Sequence, residues 1–139
     1  MMDILLNTHS VNRFVLLAIA IICIARLISN VMRAKNFSRS DAQWLRWFAT
    51  FMAIQFALGL VLFVKDGINL SWNMHEMRAH MEHAVTMILA LGLSHATASA
   101  RRKDPSTASK RALIFMAASL LFVVAGVARL KGISFWLGN

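Results

Sequence analysis

The hydrophobic pattern of the chain shows four long apolar segments separated by short polar connections. These segments lie at about 5–30, 44–64, 78–99 and 111–130. Each holds about 20–26 residues, which is enough for a helix rising about 1.5 Å per residue to cross a hydrocarbon core of about 30 Å. Backbone polar groups in lipid must be bonded within the segment, and no stretch alternates as membrane β-strands do. The pattern therefore predicts four membrane-spanning helices.

The composition agrees with a membrane protein. The chain has 139 residues, of which 58% are hydrophobic, and a single proline. A soluble domain of this length cannot bury so much apolar surface. Because short connections favour antiparallel neighbours, we expect one all-α domain over residues 1–139. Its architecture is then an integral membrane four-helix bundle that runs up-down-up-down.

The positive charge is distributed unevenly. The net charge is +9, and most of the basic residues outside the spans lie in the first connection, "RAKNFSRSDAQWLR", and the third, "RRKDPSTASKR". The second connection, "KDGINLSWNMHEMR", is balanced. The positive-inside rule places connections one and three in the cytoplasm and both termini in the periplasm of a bacterial inner membrane. The charge thus indicates orientation rather than a nucleic-acid partner.

Three smaller features complete the sequence-level description. Tryptophans fall near the predicted membrane interfaces, as in an aromatic belt; they are Trp44, Trp47, Trp72 and Trp136. The N-terminus has no basic region and no cleavage motif, so we do not expect a signal peptide. Cys23 is the only cysteine, which excludes an internal disulfide.

Polar residues at membrane depth are costly to leave unpaired and therefore suggest function. The candidates are His9, Arg13, Gln55, Glu82, His83, His95 and Arg129. Three of these candidates lie about 17–18 residues along their helices from the nearest cytoplasmic arginine, which corresponds to about 26–27 Å. The pairs counted are Arg26 to His9, Arg101 to His83, and Arg111 to Arg129. His9, His83 and Arg129 should therefore share one level near the outer face.

Two histidines at one depth on different helices are what a six-coordinate haem b requires. Each neutral imidazole supplies one axial nitrogen to the iron, so we predict His9 and His83 as the ligands. Arg13 and Arg129 lie close enough in depth to pair with the propionates, and Glu82 lies beside the ligand. The alternative is structural: the histidines cap helix ends or bond to carbonyls, and Arg13 and Glu82 pair between spans.

The segment "NMHEMRAHMEH", residues 73–83, also suggests copper. Met74, Met77 and Met81 follow one helical stripe, and thioethers suit Cu(I). The nine methionines are scattered through the chain, however, as ordinary apolar filler, so copper is not favoured. His95 points about 120° away from His83 on an ideal helix, and we interpret it as structural.

Three stretches carry a resemblance to a known family. "LLNTHSVNRFVLL", "IQFALGLVLF" and "MEHAVTMILALGL" resemble, in the same order, segments of small four-span bacterial membrane proteins often labelled cytochrome b-like. The matching residues are His9, Ser10, Arg13, Gln55, Gly59, Glu82 and His83. Relatives often carry a further histidine two positions before the glutamine, where this chain has Ala53. The resemblance implies a haem protein and puts any site that depends on that histidine in doubt.

Three hypotheses follow. The leading one is a membrane haem b subunit that exchanges electrons with quinone or a partner complex, more an electron-transfer subunit than a stand-alone enzyme. The rival is a haem-free accessory subunit of a larger respiratory or photosynthetic complex, in which the polar residues hold helices and lipids. The third is an outer-face Cu(I)-binding protein. No phosphate-binding glycine loop, carboxylate pair or nucleophile with its base accompanies them.

Overall fold

The computed structural model describes residues 2–100 and 104–132, and this part of the chain folds into four α-helices without any β-strand. The all-α prediction is confirmed. The helices are α1 (Met2–Met32), α2 (Arg39–Asn69), α3 (Met74–Ser99) and α4 (Pro105–Lys131).

Helices α2 and α4 begin several residues before their predicted apolar segments because each has a polar cap. At α2, Ser38 Oγ accepts from the backbone N–H of Asp41 at 3.1 Å, and Asp41 Oδ2 accepts from the N–H of Ser38 at 2.9 Å. This reciprocal capping box satisfies two otherwise unpaired donors. At α4, Asp104 accepts from the N–H of Ser106, and Pro105 occupies the first helical turn, where a missing N–H costs nothing.

The Asp41 carboxylate also joins α1 to α2. It is buried, and it accepts from Arg26 Nε at 2.9 Å and from Asn30 Nδ2 at 2.8 Å. A buried carboxylate is costly unless it is paired and hydrogen-bonded. The Asp41 side chain therefore both caps α2 and forms a contact between α1 and α2.

The connection between α2 and α3 is a tight turn at residues 70–73. Ser71 and Trp72 both have left-handed backbones, with φ of 49° and 54°, a region that residues with a Cβ seldom adopt. The Trp72 N–H donates to the Gly67 carbonyl at 2.8 Å. Its indole lies directly on Gly67 and meets the Phe63 ring edge-on at 6.0 Å. The turn thus folds back over the end of α2.

Each helix packs against its neighbours in the chain, and α1 also contacts α4. The interior is filled by fully buried side chains from all four helices, among them Leu16, Leu27, Leu45, Phe48, Met52, Met77 and Met116. Between them, Ser119 on α4 donates to the Ala90 carbonyl of α3 at 2.8 Å. Ala90 is itself fully buried, and such a small residue allows close helix contact.

Three of the helices are long and apolar enough to cross a membrane: Ile4–Met32, Arg39–Asn69 and Ser106–Lys131. Large apolar side chains on them face outward, as a lipid environment requires; examples are Ile21, Leu60 and Leu121. The third predicted span corresponds to α3, which does not reach the same mean hydropathy because histidines and other polar residues occupy both of its ends. Residues 101–103 and Trp136, which entered the predicted orientation, lie outside the described residues.

Candidate functional site

His9, Asn12 and Gln55 form a buried hydrogen-bonded chain between α1 and α2. Asn12 Nδ2 donates to Gln55 Oε1 at 2.7 Å and to the Phe51 carbonyl at 3.2 Å. Gln55 Nε2 lies 3.0 Å from His9 Nε2. The two side chains are hydrogen-bonded, and the direction of this bond depends on the tautomer of the ring, whose other nitrogen is Nδ1. That Nδ1 is buried and has no hydrogen-bond partner in the described part of the chain.

His83 lies half-buried on α3, against the backbone of α4. Its Nδ1 is also buried and makes no hydrogen bond of normal geometry with any described residue. The nitrogen lies 3.1 Å from the position that a Cβ at Gly126 would take. Thr86 Oγ1 would overlap the same Cβ, and it donates to the His83 carbonyl at 2.7 Å. Only a glycine at position 126 leaves space for both side chains.

The two predicted ligand histidines lie within electrostatic range of each other, so a positive charge on one imidazole would repel a positive charge on the other. His9 packs on a glycine too, because its Cε1 lies 3.3 Å from the Cβ position of Gly59. Each histidine therefore rests on a glycine of the helix that follows its own, and neither Nδ1 makes a hydrogen bond of normal geometry within the described part of the chain.

The predicted charged neighbours form two groups. Glu82 accepts from Arg78 Nε at 3.1 Å and forms an ion pair with Arg129, so α3 and α4 are joined one residue before His83. Arg13 lies near enough to act electrostatically on His9, and its guanidinium stands 5.1 Å from the centre of the Phe14 ring.

Of the remaining histidines, His80 lies near enough to act electrostatically on His83, and its own Nδ1 is buried without a hydrogen-bond partner in the described ranges. His75 is exposed. His80 Nε2 lies 3.5 Å from Asp66 Oδ2, across the α2–α3 connection. His95 Nδ1 lies 3.0 Å from the Leu91 carbonyl in its own helix.

The methionine stripe does not form one surface. Met77 is 1% exposed and belongs to the core, whereas Met74 and Met81 are exposed. The three thioethers therefore do not converge on one ion from a shared face of α3. Across residues 2–100 and 104–132, no three His, Cys, Asp or Glu side chains gather as a metal site.

Sequence reasoning missed Asn12, Thr86 and Gly126. Asn12 carried a readable signal, because an amide three residues after His9 lies on the same face of an apolar helix. Thr86 carried none. Gly126 lies in the stretch "SLLFVVAGVA", whose small residues suit close helix contact, but only the α3–α4 packing shows which side chains it meets.

Comparison of the chain with protein-family models, curated proteins and solved structures found no match in any of the three.

Proposed function

We propose that the protein is a membrane haem b electron-transfer subunit in which His9 and His83 bind the iron. One observation carries this proposal: two imidazoles from different helices lie within each other's electrostatic reach, and each has a buried Nδ1 that makes no hydrogen bond of normal geometry with a described residue. Buried polar atoms without partners are rare, and a metal is among the groups that satisfy them. A bis-histidine haem needs only two such side chains.

The packing around the histidines fixes the position of each ring. Gly59 and Gly126 present backbone rather than side chains to the two rings. The imidazoles and Thr86 fill the space over these glycines, and an alanine at position 126 would overlap Thr86.

The chain's own residues have three tasks in this proposal. Gln55 holds the His9 ring by its Nε2, and Asn12 in turn holds Gln55, so the ring orientation is set before a ligand enters. Arg13 and Arg129 supply positive charge for the propionates. Glu82 keeps Arg129 beside α3. A bound haem would supply one-electron chemistry through the Fe(III)/Fe(II) couple.

We further propose that the four helices run up-down-up-down, with both termini on the periplasmic face of a bacterial inner membrane. Contacts in two helix pairs support the antiparallel order. In the first pair, Asn12 bonds to Gln55, and the later Arg26 bonds to the earlier Asp41. In the second, Ser119 meets Ala90 and Arg129 meets Glu82. Residues 33–39, rich in Lys and Arg, then lie on the cytoplasmic side.

The partners in this proposal are quinone or other subunits of a membrane complex. So little of the chain lies outside the helices that a larger complex is the natural setting for electron exchange. Copper is not part of the proposal, because Met77 is buried in the core.

The test is an absorption spectrum of the purified protein, reduced with dithionite minus oxidised. A haem b α-band at about one haem per chain is expected. The competing function is a haem-free accessory subunit, favoured by the Asn12–Gln55 bond and the Glu82 ion pairs, which join helices without any ligand. If the protein is fully folded, is expressed with ample haem and still shows no band, the haem proposal is wrong and the accessory function is favoured.

A further inference from the structure

A groove on the outer surface of α3 and α4 joins an apolar wall to a cluster of charges. Met74, Met81 and Val85 line its apolar side, and all three are exposed. The charged end contains Arg78, Glu82 and Arg129. The groove measures about 620 Å³, which is within the range of small-molecule pockets, about 300–1,000 Å³.

The charges at this end do not cancel. Glu82 is the one carboxylate between two guanidinium groups, which leaves an excess of one positive charge. Arg78 is bonded to Glu82 through Nε alone, and its terminal amino groups bond to no other residue in the described ranges. Both arginine side chains are more than half exposed, at 75% and 59%. The groove therefore offers several guanidinium donors to an anion from outside.

We propose that this groove binds one anionic phospholipid. The phosphate lies between Arg78 and Arg129, and an acyl chain follows Met81 and Val85 along α3. Phosphate oxygens match guanidinium donors in geometry and charge. Val85 lies about one helical turn beyond Met81, so the apolar wall continues away from the charges as an acyl chain does. Arg129 cannot pair with a haem propionate and with this phosphate at once, so the lipid proposal leaves Arg13 as the propionate partner.

The excess positive charge favours an anionic lipid over a zwitterionic lipid or a quinone as the occupant of the groove. A zwitterionic lipid brings its own cation to two arginines, which offsets the attraction of its phosphate. A neutral quinone makes no use of the excess charge. Glu82 competes with the lipid for the same donors, so the site should bind an anionic headgroup more tightly when that carboxylate is removed.

The experiment titrates the delipidated full-length protein in mild detergent with phosphatidylglycerol or phosphatidylcholine and counts bound lipids by native mass spectrometry. One phosphatidylglycerol should bind about fivefold or more tightly than phosphatidylcholine, since a surface arginine contributes about that factor. The double variant R78Q/R129Q should lose this preference. The control R39Q/R46Q removes the same charge from two exposed arginines on α2 and should keep it.

A third variant separates binding from misfolding. Glu82→Gln keeps both arginines and removes their internal competitor, so phosphatidylglycerol should bind several-fold more tightly than to the parent protein. Equal binding of the two lipids would overturn the proposal. Equal losses in R78Q/R129Q and R39Q/R46Q would show attraction by net charge alone. Displacement of the lipid by equimolar inorganic phosphate would show an anion site without an acyl chain, which also contradicts the proposal.

Discussion

Asn12 on α1 donates a hydrogen bond to Oε1 of Gln55 on α2 at 2.7 Å, and both side chains are buried. The same Gln55 contacts His9 through its other amide atom. Three polar groups thus form a line across an interface that is otherwise apolar. The orientation of the His9 ring therefore depends on Asn12, which bonds to Gln55 and not to the ring.

This line predicts that Gln55→Leu lowers the free energy of unfolding by about 1–2 kcal/mol, because Asn12 and His9 each lose a buried partner. Unfolding in mixed detergent micelles measures the change. The control is Gln43→Leu, since Gln43 is exposed on the same helix and should change stability by less than about 0.5 kcal/mol. The double variant N12L/Q55L should cost less than the two single changes added together, because it leaves no orphaned amide. Equal costs for Q55L and Q43L would contradict the assignment.

A second prediction concerns the histidines. If the proposed function is correct, His9→Ala and His83→Ala each remove the reduced-minus-oxidised α-band, because each deletes an axial ligand. His75→Ala should leave the band unchanged, since that side chain is exposed at the start of α3. Haem per chain, measured by pyridine haemochrome, gives the stoichiometry. Retention of the full band in His83→Ala would exclude His83 as a ligand.

The contact between Gly126 and Thr86 gives a third prediction. Gly126→Ala should destabilise the protein by about 1–3 kcal/mol, because the new methyl overlaps Thr86 Oγ1 and crowds His83. The double variant T86A/G126A should recover much of the loss. Gly92→Ala is the matched control, because nothing lies within 4 Å of its Cβ position and alanine gains up to about 1 kcal/mol in a helix. Thermal unfolding followed by circular dichroism measures all three variants.

A fourth prediction compares two caps. Asp41→Ala should cost about 2–3 kcal/mol, because it removes the capping box and leaves Arg26 and Asn30 without their buried acceptor. Asp104→Ala removes a single exposed cap contact on α4 and should cost about 1 kcal/mol or less. If the two substitutions cost the same, the contacts of Asp41 with α1 contribute nothing to stability.

The helices could be predicted from the sequence because apolar length and helical period are local properties. Their starts were placed too late at α2 and α4, since the apolar pattern begins after the caps. The signal at α2 was readable: Ser38 followed three residues later by Asp41 is a capping-box pattern. Helix α3 was predicted as a span equal to the others, yet its polar ends lower its mean hydropathy.

For the site, the sequence predicts only how far along its helix each candidate residue lies. The count that placed His83 and Arg129 at one level agrees with the contact between Arg129 and Glu82, the neighbour of His83. Rotation of the helices about their axes is set by packing, and a single sequence does not show it. This is why the burial of Met77 and the glycine beneath His83 appear only in the structure.

The indole of Trp72 opposes movement of α3 along α2 at the turn that connects the two helices. Its ring fills the space above Gly67, and the turn that positions it contains two residues, Ser71 and Trp72, in the left-handed backbone region. If α3 moved along α2 by one helical turn, the ring would lose its contacts with Gly67 and Phe63. An exposed side chain at the turn thus opposes sliding between α2, whose Gln55 bonds to His9, and α3, which carries His83.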